Sequence, residues 1–133
     1  MGLDQYACVA KRGTITEPTD FTNWSEIHGP YPSFESSIVF EWRKHSDLNG
    51  WMKELYLSRG GKEESFNNCP VKVLRTDLIK LCELSHSGSL SPAIGFFWGQ
   101  SDSGDDERTI TFCIEALGIL EKGEEDIYYI SNY

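Results

Sequence analysis

"VFEWRKHSDLNG", residues 39–50, decides how this chain is read. Val39, Glu41 and Arg43 alternate with Phe40 and Trp42, the period-two pattern of a half-buried strand. Arg43, Lys44 and His45 follow one another, and Ser46-Asp47 then has the chemistry of a helix start. Ser is a small cap, and Asp suits the positive end of the helix dipole. Leu48, Trp51, Met52, Leu55 and Tyr56 continue as one helical face, and Gly60-Gly61 suits the stop. The stretch is therefore a strand, 36–43, turning directly into a helix, with the densest cationic patch of the chain on the junction.

Working outward, residues 3–12 read as a first strand, with Leu3, Gln5, Ala7 and Val9 alternating against Tyr6 and Cys8. Residues 13–35, rich in Gly, Pro, Thr, Ser and Asn, predict a long loop or excursion. Beyond the central helix, 70–74 reads as a short strand, and Thr76 caps a helix through about Ser85 that buries Leu78, Leu81 and Cys82. "AIGFFWG", 93–99, is an apolar run between glycines and predicts a central strand. A third helix, from the acidic turn 102–106 to about Lys122, places Ile110, Cys113, Ile114, Leu117 and Leu120 inward, and "EDIYYISNY" closes the chain as a strand. The order predicts a single α+β (mixed α/β) domain, 1–133. It would have a mostly antiparallel or mixed sheet of about five strands and about three helices.

A chain of 133 residues is long enough for one real core. No apolar run approaches the ~18 residues of a membrane span, and no basic segment followed by an apolar one marks a signal peptide. Membrane binding is therefore not expected. Cys8, Cys69, Cys82 and Cys113 form no CxxC pair and read as reduced thiols. Net charge is −9, and residues 101–133 carry nine acids against Arg108 and Lys122. Such a surface does not favour direct nucleic-acid binding, which depends on neutralising phosphates.

Three constellations have the chemistry of a binding site. Arg43, Lys44 and His45 before a helix N-terminus make an anion site, with Arg gripping a phosphate or carboxylate in its planar fork. Strand alternation would send Arg43 and His45 to one side, and in the blander reading each cation meets a surface carboxylate. "GFFWG" offers aromatic faces for a planar base, or simply core. Asn67 and Asn68 offer amide groups to read an edge, or an Asx-turn before the next strand. No P-loop, GxSxG, HExxH, GxGxxG or EF-hand pattern is present, and the three histidines lack metal-ligand spacing. Catalytic patterns are mostly absent and no metal or cofactor is expected, so the reading leans against an enzyme.

"MGLDQYA" at 1–7, "FEWRKHSDLNGWM" at 40–52, "GFFWG" at 95–99 and "YYISNY" at 128–133 occur in this order. The chain resembles a family of small uncharacterised proteins of tailed bacteriophages and prophages. Its members read MGLD-x-Y, then YWRK, then GFFFG, then a Tyr-x-Ser-Trp-like end. This chain departs in Phe40-Glu41-Trp42, in Trp98 for the third Phe and in lacking the final Trp. The resemblance implies a location in the cytoplasm of an infected bacterial host and brings no established activity.

Together these readings lead to an expected non-catalytic accessory protein that binds a small anionic, nucleotide-like ligand and sequesters a host defence signal. Arg43, Lys44 and His45 would hold phosphate; Trp42, Phe97 or Tyr129 would stack on a base; Asn67 or Asn68 would read it. A homo-oligomer would deepen the pocket. One alternative is an acidic inhibitor of a host protein, imitating nucleic acid, which requires Asp105, Asp106, Glu115 and Glu121 on one face. Another is a phosphoester hydrolase using His45.

Overall fold

The computed structural model describes residues 2–21, 27, 34–95 and 97–133. Chain order is β1 (Asp4–Lys11), a single helical turn α1 (Phe34–Ser37), β2 (Ile38–Arg43), α2 (Ser46–Ser58), β3 (Val71–Val73), α3 (Arg75–Ser87), α4 (Asp105–Lys122) and β4 (Glu125–Asn132). The α+β class holds. Among the described residues the sheet has four strands rather than five, in the order β2-β1-β4-β3, and every pairing is antiparallel. The first and last strands thus lie side by side at its centre, with Gln5 opposite Ser131 and Ala7 opposite Tyr129.

The missing strand is 93–99. Here the chain runs irregularly through Ala93–Gly95 and turns at Phe97, whose φ of 69° lies in the left-handed region, as does Gly99 at 74°. A strand cannot contain that reversal. Trp98 folds back over Gly95 so closely that a Cβ there would run into its indole ring, and it meets Tyr133 edge-on at 5.6 Å. Only Trp98 of the described aromatic residues in this run is core; Phe97 is half exposed and Ile94 stands almost wholly in solvent.

Both faces of the sheet are covered. Ala7, Trp42, Val71, Val73, Ile127 and Tyr129 face a main core filled from the helices by Leu48, Met52, Leu78, Leu81, Phe112 and Ala116. Cys8, Ala10 and Tyr128 face the other way, where Ile15 and Ile27 join them. The predicted excursion is therefore, where described, a packed second layer: Ile15 and Ile27 are buried, and Pro18 accepts a hydrogen bond from the Lys72 amide at 2.8 Å. Burying side chains of this size gains about 1.5–3 kcal/mol each, enough to hold a chain segment without regular structure. Covering both faces explains why the adjacent Tyr128 and Tyr129 are both fully buried.

Two helices differ from the sequence reading, one in its start and one in its inward face. α3 begins at Arg75, with Leu74 as its cap residue and the Asp77 carboxylate accepting the Leu74 amide at 2.7 Å. In α4 the inward face is Asp105, Thr109, Phe112, Cys113 and Ala116, while Ile114 is 63% exposed. The sequence stripe was therefore rotated, because Phe112 enters the aromatic cluster with Trp42 (centroids 4.8 Å apart) and Phe40 (5.6 Å). No described helix is long and apolar enough to cross a membrane.

Candidate functional site

The junction at 42–49 is held together by bonds to distant parts of the chain. Lys44 adopts φ 60°, which breaks the strand alternation, and its amide donates to Leu3 O at 2.8 Å. As a result Arg43 and His45 do not share a side. Arg43 stays exposed and pairs with Asp4 at 3.4 Å, whereas His45 is 1% exposed. Gln5, buried in β1, receives the His45 amide on Oε1 (2.8 Å) and donates from Nε2 to the His45 carbonyl (2.9 Å). Its amide side chain thereby acts as one more rung of sheet pairing for a residue that has left the strand.

His45, not Ser46, is the cap residue of α2, and it makes no side-chain cap bond. Ser101, distant in sequence, supplies it: its hydroxyl accepts the Asp47 amide at 3.0 Å and lies 2.8 Å from His45 Nδ1. Asp47 in return accepts the Ala93 amide at 3.0 Å, so two bonds tie the irregular 93–101 stretch to the start of α2. Asp105 Oδ2 lies 3.7 Å from the same His45 nitrogen. Burial lowers the His45 pKa and outweighs the opposing pull of Asp105, Asp47, Asp106 and Asp102, so the ring is neutral near pH 7.

Ser, His and Asp are thus neighbours, yet their order is not that of a nucleophilic relay. Such a relay needs the hydroxyl on one ring nitrogen and the carboxylate on the other. Here both lie at Nδ1, the ring is sealed from solvent, and the Ser101 oxygen is committed to a helix end.

Trp42 and Tyr129, expected to stack on a base, are core residues. Trp42 donates its indole N–H to Thr109 Oγ1 at 3.1 Å. The Tyr129 hydroxyl donates to Asn49 at 2.7 Å and accepts from Gln5 at 2.9 Å, and burial pushes its pKa far up. Asn67 and Asn68 form a turn: Asn67 accepts the Tyr133 amide at 2.8 Å, Asn68 sits at φ 60°, and its side chain accepts from Asn132 at 2.9 Å. Phe97 is exposed on the 93–99 turn. Among the hollows lined by described residues, Trp42 and Arg43 share one and Asn68 lines another. Among the described residues no group of histidines, cysteines and acids could hold a metal ion.

Among the described residues, arginines line two hollows. A small one, of about 230 Å³, lies between Arg43 and Arg108 beside Tyr6, with Asp4 and Glu41 on its walls. Arg108 is already engaged there, donating to the Glu41 carbonyl and lying 5.6 Å above the Phe40 ring. A larger cleft, of about 460 Å³, opens where β1 ends, β4 begins and α3 starts. It is lined by Arg12, Lys72 and Arg75, by Glu121, Glu125 and Asp126, and by apolar Val73, Leu74 and Leu120. Lys72 pairs with Asp126 at 3.6 Å, and Asp126 also accepts the Gly13 amide at 3.3 Å. Arg12 reaches only the Gly123 carbonyl, at 3.4 Å, and neither it nor Arg75 has an acid partner among the described residues.

A third hollow, of about 330 Å³, includes Cys69, whose thiol is pushed up by burial and so is not poised as a nucleophile. Cys8 and Cys113 are raised likewise, to about 11 and about 12, by burial.

The chain matches no family model, no curated protein and no solved structure. Its site must be read from its own geometry. Sequence reasoning missed Arg12, Lys72 and Arg75 because Arg12 follows β1 while Lys72 and Arg75 lie on β3 and α3, and only the order β1-β4-β3 gathers them. One local signal was present: Arg75 follows the strand 70–74 directly, a cation at a helix start, where the dipole disfavours it.

Proposed function

We propose that this protein is a non-catalytic accessory protein that holds a small anionic ligand in the Arg12–Arg75 cleft. The observation that carries the reading is that two arginines without acid partners among the described residues line a hollow of about 460 Å³. That volume falls within the ~300–1,000 Å³ range of small-molecule sites, whereas the Arg43–Arg108 hollow is smaller. An arginine fork offers several N–H donors to a phosphate or carboxylate, and the first turn of α3 adds its positive dipole end.

The phage-type motif order supports an accessory role in an infected cell, with capture of a host signal as the use of such binding. The alternative of nucleic-acid imitation draws no support from the helix. Asp105 is turned inward to His45, and Asp106 lies about 180° around the α4 axis from Glu115.

Native mass spectrometry of the protein recovered from its host tests the reading, reporting subunit count and any retained small molecule together. Calorimetry with phosphates and nucleotides tests it in vitro. The expected result is saturable binding that Arg12→Ala and Arg75→Ala each weaken about tenfold, the loss of one charge-assisted interaction. No retained ligand and no heat with any anion would overturn it.

A further inference from the structure

The cleft that carries the anion reading has a second property: its charges balance in sign. Lys72 and Asp126 satisfy one another, which leaves Arg12 and Arg75 facing the same hollow as Glu121 and Glu125. None of these four has an ion-pair partner among the described residues. The sheet order explains the arrangement. Arg12 follows β1, Arg75 follows β3, and Glu125 opens β4 between those strands, while Glu121 descends from the last turn of α4. None of the lining residues is aromatic, so ring stacking has no part in recognition.

A purely anionic ligand gains from the two arginines and is opposed by the two glutamates at comparable range, so the attraction and repulsion largely cancel. A ligand that also bears an amino group reverses the second contribution. Each carboxylate has about four acceptor sites for N–H donors, and each guanidinium has five donors. We propose that the ligand of this cleft carries an amino group as well as its anionic group, the anion bound by Arg12 and Arg75 and the amine by Glu121 and Glu125. This rests on the anion-binding reading and narrows its ligand class. Amino-bearing phosphates, amino-bearing nucleotides and amino acids share that chemistry.

Calorimetry with matched pairs tests it: phosphoethanolamine against ethyl phosphate, adenosine monophosphate against purine riboside monophosphate, and 4-aminobutyrate against butyrate. The expected result is that in at least one pair the amino member binds at least tenfold more tightly. Glu121→Gln combined with Glu125→Gln should then bring the ratio close to one without weakening the partner that lacks the amine. The pair that discriminates identifies the anion as simple phosphate, nucleotide or carboxylate. Equal binding within every pair would overturn this inference while leaving anion binding in place; binding by none of the six would overturn both. Glu121 and Glu125 are both exposed, so the double variant keeps the fold.

Discussion

The junction at 42–49 and the Arg12–Arg75 cleft both place cations at the start of a helix, and they put them to opposite uses. At the junction Arg43 pairs with Asp4, His45 is sealed inside, and the α2 N-terminus is closed by Ser101. At the cleft two arginines and two glutamates remain open to a hollow. In the cationic patch that stands out in the sequence, Arg43 and His45 are thus engaged within the fold, whereas the inconspicuous arginines of the cleft have no acid partner among the described residues. A buried polar group without a partner is costly, so partners are found for it within the fold. Exposed charges carry no such demand and stay available.

The largest effect should come from Gln5. Gln5→Leu removes both bonds to the His45 backbone and the bond to Tyr129, leaving buried groups unmatched. A loss of about 3 kcal/mol is expected in urea unfolding, from penalties of about 1–3 kcal/mol per orphaned group. Tyr129→Phe keeps the ring but strands Asn49 Oδ1 and one of the two N–H groups of Gln5 Nε2, and about 2 kcal/mol is expected by the same measurement. If either variant costs nothing, the junction is not held by this network.

Acid provides the next test. The folded His45 pKa lies below its ordinary 6.5, so between those two values the unfolded chain binds more protons. The stability from keeping the ring neutral is whole above pH 6.5, declines as pH falls toward the folded value, and declines no further below it. Urea midpoints from pH 7.5 to 5.5 should fall in the wild type, and His45→Gln should flatten that slope, whatever it does to the baseline. An unchanged slope would contradict the assignment.

The smallest effects lie on the surface. Arg43→Ala removes an ion pair whose side chains are 68% and 43% exposed, and a change within about 0.5 kcal/mol is expected. Arg75→Ala should be as quiet in stability and yet weaken anion binding about tenfold. A stability loss with Arg43→Ala, or unaltered binding with Arg75→Ala, would erase the contrast between the two regions.

Much of the fold was legible in single segments. Residues 46–58 are helical because Leu48, Met52 and Tyr56 recur at helical spacing, and 125–132 form a strand because Ile127 and Tyr129 alternate with Tyr128 and Ile130 across two cores. "GFFWG" was misread because an apolar run between glycines fits a buried strand and an exposed turn equally well. Which of the two forms depends on where Trp98 finds its contacts, here Gly95 and Tyr133. The predicted cationic corner is divided for a related reason. Neighbours in sequence share a site only if the backbone keeps them on one side, and the left-handed turn at Lys44 separates Arg43 from His45.

By itself the sequence determined the α+β class, an antiparallel preference and most of the segments that became helices and strands, because periodicity and turn chemistry act within a few residues. Which face of α4 turned inward, how the 93–101 stretch closes the α2 N-terminus, and which charges remain unpaired were decided only in the tertiary structure. Those outcomes depend on contacts between elements distant along the chain. Gln5 finds His45 forty residues away, and Arg12 comes to share a cleft with Arg75, through a sheet order that no local pattern encodes.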